Sequence, residues 1–482
     1  MGQRASQTRL GWVGIFLGAS LVSAPAQASP LFIEEVLDSV RARYPLVEAA
    51  KQELRSAQGE LLSSRGAFDL QLRSRAGWDL QSYYPSQTLD VALEQPTPIW
   101  GLSLLGGYRV GRGSFPIYDG KLETLDAGEL RGGLVVPLLR DGPTDARRVR
   151  IERASIGVEV AEAGLQQQYV ESVRTARQRY WEWLAAGLKV RIAERILAIA
   201  EKRDQQLKEQ QKRGDASVFE RNDNFRGLLQ RRSQLAVAER SLQRAEFELS
   251  LFLRDSRGSP IQVDRSRIPQ SFPELTLPQS AGAPSRISRD QLQPQIADAL
   301  QRRPDLKRLQ GQREQNDREL RLARNQLFPK LDFNLGVSRD LGTGKSELSK
   351  TEAEAAVVLE IPLLLRSARG RAQAASATDS RISAQMALLA DRVSTDVLDA
   401  QSALNQAAER LQIANEEVQV SLELEKGERA RFAHGDSNLI FVQLREQTTA
   451  DAENRRVDAE LDYRLAEAAM AAALGLPELA PR

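Results

Sequence analysis

Apolar and polar positions along this chain repeat with two different periods, arranged in alternating blocks. Helical spacing predicts six runs, over 31–66, 143–212, 218–253, 289–326, 366–433 and 437–473. At 1.5 Å per residue the two long runs span about 100 Å each and the four shorter ones about 55 Å each. Two short runs placed end to end match one long run, so the chain yields four rods. Rods of that length cannot bury themselves in a globular core and must pack side by side. Leu228, Leu235, Leu242 and Leu249 recur every seven residues, with Ala238, Ala245 and Phe252 three positions later. That is a coiled-coil seam. Between Ala372 and Ala408, 11 of 37 residues are alanine, which permits close helix approach.

Between the helical runs the period drops to two. Phe68 to Leu80 reads FDLQLRSRAGWDL, and Leu331 to Ser338 reads LDFNLGVS. Leu130–Leu138 and Ala353–Leu363 are the other two expected strands, which makes four per chain. Strict alternation gives each strand one apolar and one polar face. About ten residues is the length of a tilted strand crossing a bilayer. Phe68 to Tyr118 holds 8 of the 26 aromatic residues, a density expected of an interfacial girdle and also of ordinary strand propensity.

The order of signals occurs twice. Helical runs open near Pro45 and at Arg303-Pro304-Asp305-Leu306. A strand block follows each, ending at Pro137-Leu138-Leu139-Arg140 and Pro362-Leu363-Leu364-Leu365-Arg366. Then comes a long helix broken once by glycine, 77 residues after Pro137 at Gly214 and 73 after Pro362 at Gly435. Pro45 to Pro137 is 92 residues, whereas Pro304 to Pro362 is 58, so the first strand block carries an insertion of about 34. Its place is between Tyr83 and Glu129, as longer surface loops or as an extra hairpin. The expected organisation is a first repeat over 29–254, a Pro/Ser/Gly-rich linker over 255–290, and a second repeat over 291–482.

Composition narrows the function. There is no cysteine and one histidine. That excludes thiolate zinc, iron–sulfur clusters, disulfides and cysteine nucleophiles. Lys+Arg number 67 against 65 Asp+Glu, too even for a nucleic-acid partner driven by bulk charge. The mean hydropathy of −0.42 excludes a polytopic helical membrane protein. Residues 1–28 read as a secretory signal: Arg4 and Arg9, an apolar core over Gly11–Val22, and Ala26-Gln27-Ala28 before a cut between Ala28 and Ser29.

An exported chain with membrane-length strands faces a closure problem. Four strands cannot close a barrel wide enough to pass a solute, and a bilayer tolerates no open sheet edge. Several copies must therefore share one barrel. Three copies of four strands give 12 strands and 12 rods, stackable as a β-barrel on an α-barrel.

These residues resemble the TolC-like outer membrane efflux proteins of Gram-negative bacteria. The resemblance covers about Leu31 to Leu476. It is carried by Arg303-Pro304-Asp305-Leu306, Leu327-Phe328-Pro329-Lys330-Leu331, Pro137, Pro362 and the two glycine turns. It implies a mainly α fold with a small β part: a homotrimeric outer-membrane β-barrel continuing into a long periplasmic α-helical barrel. The 255–290 segment and the chain ends would form an equatorial collar. The implied partners are outer membrane lipid, a periplasmic adaptor protein and an inner-membrane pump, proton-driven or ABC type. Many relatives carry a lipid on a cysteine after the signal; here Ser29 takes that place, so no lipid anchor is expected. Relatives often constrict the periplasmic mouth with acidic residues, whereas the matching positions here are Phe441 and Leu444.

The candidate functional residues follow. Gly214, Asp215, Ser217, Gly435, Asp436 and Ser437 form the tip turns and adaptor contact, with the glycines in left-handed conformation and the polar residues as helix caps. Asp436, Phe441 and Leu444 are the candidate gate, Phe441 as an apolar ring. Pro137 and Pro362 mark the strand-to-helix transitions, and Trp181 and Trp183 are packing anchors near the collar. His434 reads as a residue compatible with a helix end and not as a metal ligand. Arg213-Gly214-Asp215 reads as a turn and not as an adhesion motif. No metal, cofactor or catalytic group is expected, and no enzyme. The expected function is a passive exit duct of a tripartite export system, for small molecules, metal ions or protein. The rival is an exported coiled-coil structural or adhesive protein without a pore. That rival leaves the strand pairs in both halves unexplained.

Overall fold

The computed structural model describes residues 29–116, 122–275 and 289–477. The expected leader and residues 276–288 of the expected linker lie outside the described residues, as does Tyr118. The first half contains α1 (Ile33–Arg43), α2 (Pro45–Arg65), β1 (Gln71–Asp79), β2 (Ser86–Pro96), β3 (Ser103–Gly113), β4 (Glu129–Pro137), α3 (Ala146–Arg213) and α4 (Val218–Ser250). The second half contains α5 (Gln293–Arg302), α6 (Pro304–Asn325), β5 (Lys330–Asp340), β6 (Thr351–Glu360), α7 (Arg366–Ala433) and α8 (Leu439–Ala473).

The long helices α3 and α7 have 68 residues each, so each spans about 100 Å. The expected runs 31–66 and 289–326 are each two helices. Proline explains the break. Pro45 and Pro304 open α2 and α6, and the residues before them, Tyr44 and Arg303, are held extended at ψ 126° and 123°. The short helices lie along the long ones. At the strand end, Arg150 of α3 pairs with Glu60 of α2, and Arg153 with Glu319 of α6. Towards the other end, Arg232 of α4 pairs with Glu201 of α3, and Arg455 of α8 with Glu417 of α7.

The sheet departs from expectation. It has six antiparallel strands in the order β1-β2-β3-β4-β5-β6, not four. The insertion is a complete hairpin, β2 and β3, lying in the plane of the sheet. β2 pairs with β1 over nine residues, and β3 pairs with β4 over seven. The reason is visible on one face. Asp90 of β2 reaches across β3 to Arg131 of β4 at 2.5 Å, and Arg109 of β3 bonds Glu129 at 2.7 Å. A Cβ on Gly107, between Asp90 and Arg131, would stand 3.2 Å from the Val91 carbonyl. The polar side chains of β2 and β3 thus match those of β4, and the hairpin is knitted in.

Register gives the sheet one mainly polar and one mainly apolar face. One face carries Arg73, Asp90, Arg109, Glu129, Arg131, Asn334 and Glu354. The other carries Leu72, Trp78, Leu89, Leu93, Leu104, Leu130, Leu335, Val337, Val357 and Leu359, all exposed. Among the described residues no helix is long and apolar enough to cross a membrane.

The apolar core lies midway along the rods. Trp183 is fully buried, and Tyr180 donates its hydroxyl to the Leu31 carbonyl at 2.9 Å. The 252–273 segment folds over them. Phe272 packs near Trp181, while Arg464 stacks on Trp181 at 4.9 Å and donates to the Pro273 carbonyl at 2.7 Å. Gly187 admits Ile268 so closely that a Cβ would fall 2.7 Å from its side chain. Trp181 and Trp183 are therefore anchors beneath the chain segment that joins the two halves.

Candidate functional site

The far ends of the helices carry the candidate site. α3 ends at Gly214, whose φ of 87° belongs to the left-handed region. The Asp215 N–H donates back to the Gln210 carbonyl at 2.9 Å. α7 ends the same way: Gly435 has φ 82°, and the Asp436 N–H donates to the Arg431 carbonyl at 2.9 Å. The caps of the returning helices are Ser217 and Asn438. Ser217 accepts from the Glu220 N–H at 3.1 Å, and its own N–H donates to the Glu220 carboxylate. The Ser217 N–H and hydroxyl, both bonded to the Glu220 carboxylate, hold that carboxyl below its ordinary pKa. Asn438 accepts from the Phe441 N–H at 3.2 Å. Asp215 and Asp436 are therefore turn residues and not caps, and Ser437 donates instead to Glu428. His434 is exposed at the C-terminus of α7.

The gate candidates divide. Phe441 and Leu444 are exposed and stand on one face of α8 with Ile440. Asp436 is exposed in the turn. The next acid along α8, Glu446, is 1% exposed and points the other way, into the bundle. Arg203 of α3 grips it with two bonds of 2.6 and 3.0 Å. Arg429 of α7 adds a third at 3.1 Å and also holds Glu425 at 2.7 Å. Arg231 of α4 is buried beside them. Its desolvation holds the guanidinium below its ordinary pKa, with the Glu446 charge opposing. Four helices thus meet on one buried carboxylate.

Glu446 is the last rung of a ladder between the two coils. Lys189 bonds Asp458 at 2.5 Å, Arg195 bonds Glu453, and Arg203 bonds Glu446. Every base is on α3 and every acid on α8. Gln443 donates to Asn224 of α4 at 3.2 Å, adding a neutral link. The rungs are not equal. Lys189 and Asp458 are well solvated, and such a pair contributes about 0–1 kcal/mol. Stripping one partner from a pair as buried as Arg203–Glu446 costs on the order of 3–5 kcal/mol, because a charge is left uncompensated.

Arg203, Arg231, Arg429 and Asn438 escape sequence reasoning. The rung positions 189, 195, 203 and 446, 453, 458 are spaced near seven, but which helix each faces is a tertiary fact. At the opposite end, Pro137 closes β4 and its carbonyl accepts Trp100 Nε1 at 2.9 Å. Pro362 follows β6 by two residues, before α7 opens on the left-handed Leu365. Residue 28 of the expected cleavage site lies outside the described residues. Ser29 accepts at its carbonyl from Arg267.

Residues 295–476 match the family model of the outer membrane efflux protein. No curated protein matches the sequence. Solved structures match the whole fold. The outer-membrane channel OprN aligns at a TM-score of 0.64 and 17% identity, over 92% of this chain and 89% of that one. The Campylobacter jejuni CmeC outer membrane channel aligns at 0.63 and 13%, over 98% and 94%. The Neisseria gonorrhoeae MtrE channel, solved in its open state, aligns at 0.62 and 16%, over 92% and 89%. The resemblance to TolC-like proteins drawn from the residues is borne out. The family is one of channel proteins and not of enzymes.

Proposed function

We propose that this protein is the outer-membrane exit duct of a tripartite export system in a Gram-negative bacterium. The observation that carries the reading is the two-faced sheet continuous with rods of about 100 Å. An apolar outer face suits lipid, and a charged inner face suits a wet bore. The efflux protein domain and the fold support an efflux-channel role. In this reading the chain is a homotrimer, without a lipid anchor at Ser29, and solutes pass through it passively. The halves 29–254 and 291–482 are two structural repeats, and 255–290 is the collar between them.

The helix tips face the periplasm and meet the adaptor and pump. Gly214, Asp215, Ser217, Gly435, Asp436 and Ser437 form the adaptor-facing turns. Phe441 and Leu444, on the exposed face of α8, narrow the mouth, with Asp436 at its rim. The resting state is held by the ladder between the coils, above all by Arg203 and Arg429 on Glu446. Opening separates α7/α8 from α3/α4, so it must break the buried rung. The test is single-channel conductance in planar bilayers. Wild type is expected to open rarely, and Glu446→Gln to raise the open fraction by one to two orders of magnitude. Phe441→Ala is expected to raise conductance with the ladder intact. Wild type and Glu446→Gln channels with equal open fractions would remove the ladder from the gate. A folded wild type that never conducts would end the duct reading.

A further inference from the structure

The apolar face of the sheet carries two charged side chains, and both are positive. Through all six strands only Arg112 of β3 and Arg339 of β5 bring a charge to that face, in register with Gln87 and Leu130. Each is the next-to-last residue of its strand, at the end away from the helices. We propose that Arg112 and Arg339 hold the phosphates of an anionic glycolipid in the outer leaflet, at the outer rim of the barrel. This rests on the duct reading, which puts that end outside, and deepens it by naming the lipid chemistry the wall contacts.

Three observations lead there. First, the sign is one-sided. The strand acids at this end, Asp79, Asp340 and Glu352, lie on the polar face. Beyond the strands, Glu123 is bonded by Lys345, the Asp126 carboxylate accepts from Thr343, and Glu347 stands in the β5–β6 loop. Lys350, exposed and next to the Arg339 partner Thr351, adds a third positive charge. Second, both guanidiniums have donors to offer. Arg339 is exposed and has no ion pair among the described residues. Arg112 is exposed and donates to the Asp126 carbonyl at 3.3 Å, which leaves most of its N–H groups for a phosphate. Third, the depth is that of a headgroup. Tyr108 lies on the same face with its hydroxyl on the Ala127 carbonyl at 2.8 Å, and Trp78 stands on that face near the end of β1. Aromatic rings with one polar end belong at the membrane–water boundary.

The spacing suits a single headgroup. β3 and β5 flank β4, so they stand about 10 Å apart. Arg339 is level with Leu130 and Leu130 with Tyr108, and Arg112 lies two same-face positions farther out, about 13 Å along the strand. The two Cα atoms are thus about 16 Å apart, a span that two arginine side chains and a disaccharide with a phosphate at each end can bridge. An arginine facing lipid is costly at the bilayer midplane and nearly free at the interface. Position therefore removes most of the cost, and the planar guanidinium bonds phosphate through paired N–H groups.

The test is lipid retention by the full-length protein in mild detergent, counted by native mass spectrometry. The probes are lipid A carrying two phosphates and its fully dephosphorylated form. Wild type is expected to retain the bisphosphate form about tenfold better, a comparison that needs no variant. Arg112→Gln combined with Arg339→Gln is expected to lose that preference, whereas Arg75→Gln, on the polar face, is expected to keep it. Equal retention of the two forms by wild type, or an unchanged preference in the double variant, overturns the inference. So does loss of the preference at equimolar inorganic phosphate, which assigns the arginines to a free anion and not to a lipid. Wild type that conducts in planar bilayers without any phosphate preference overturns the lipid site and leaves the duct standing. A phosphate preference in protein that never conducts overturns the duct and leaves the lipid site.

Discussion

Single residues set the limits of this fold at two places. Gly187 faces Ile268, whose backbone is pinned because Arg191 donates to the Ile268 and Pro269 carbonyls at 2.7 and 2.6 Å. Ile268 cannot retreat, so Gly187→Ala is expected to cost about 1–3 kcal/mol by overpacking, read as a lower melting temperature. Glu460 of α8 lies between Arg456 and Arg464. Burial raises its pKa, and the two arginines only partly oppose this. The folded state therefore binds this proton more tightly than the unfolded chain does. Its contribution is fully present below the ordinary glutamate value and is lost as pH rises through the raised one. Glu460→Gln is expected to raise the melting temperature at pH 7–8 and to change nothing near pH 4. An equal gain at both pH values would show that the carboxylate's charge is not the cause.

Among elements, the tip turns depend on conformation more than on contacts. Gly214 and Gly435 have positive φ with open space around them, so alanine there meets no clash but only left-handed strain. Each Gly→Ala is expected to cost about 1 kcal/mol, and Asn438→Ala a similar amount through the lost cap. Local opening of the tips, seen by amide exchange, is the sensitive readout. These turns were legible in the sequence because glycine and its polar neighbours announce themselves locally. So were the 68-residue helices and four of the strands, whose periods are strong. Pro45 and Pro304 mark helix starts in the sequence, but the short helices before them, α1 and α5, merge with α2 and α6 into single periodic runs. Between longer loops and an extra hairpin the sequence left the insertion open for a physical reason: Gly106, Gly107, Gly111 and Gly113 dilute the alternation in β3, whose register shows only against β2 and β4. The Glu446 cluster was hidden because its members come from four helices. The sequence shows four common charged residues, and only packing shows that they share one buried point.

At the scale of the whole molecule, the proposed duct requires more than one copy of the chain. Its sheet ends in two unpaired strands of nine and ten residues. In hydrocarbon each unsatisfied backbone group costs several kcal/mol, so a lone sheet would forfeit far more than the 5–15 kcal/mol that stabilises a typical domain. Water tolerates such edges and a bilayer does not, so membrane insertion and assembly are expected to be coupled. The most direct test is the mass of the natively folded protein in mild detergent, measured by light scattering with the detergent subtracted. The account expects three copies per particle and no folded monomer. A monomer that keeps its helical circular dichroism and its strand signal would contradict it.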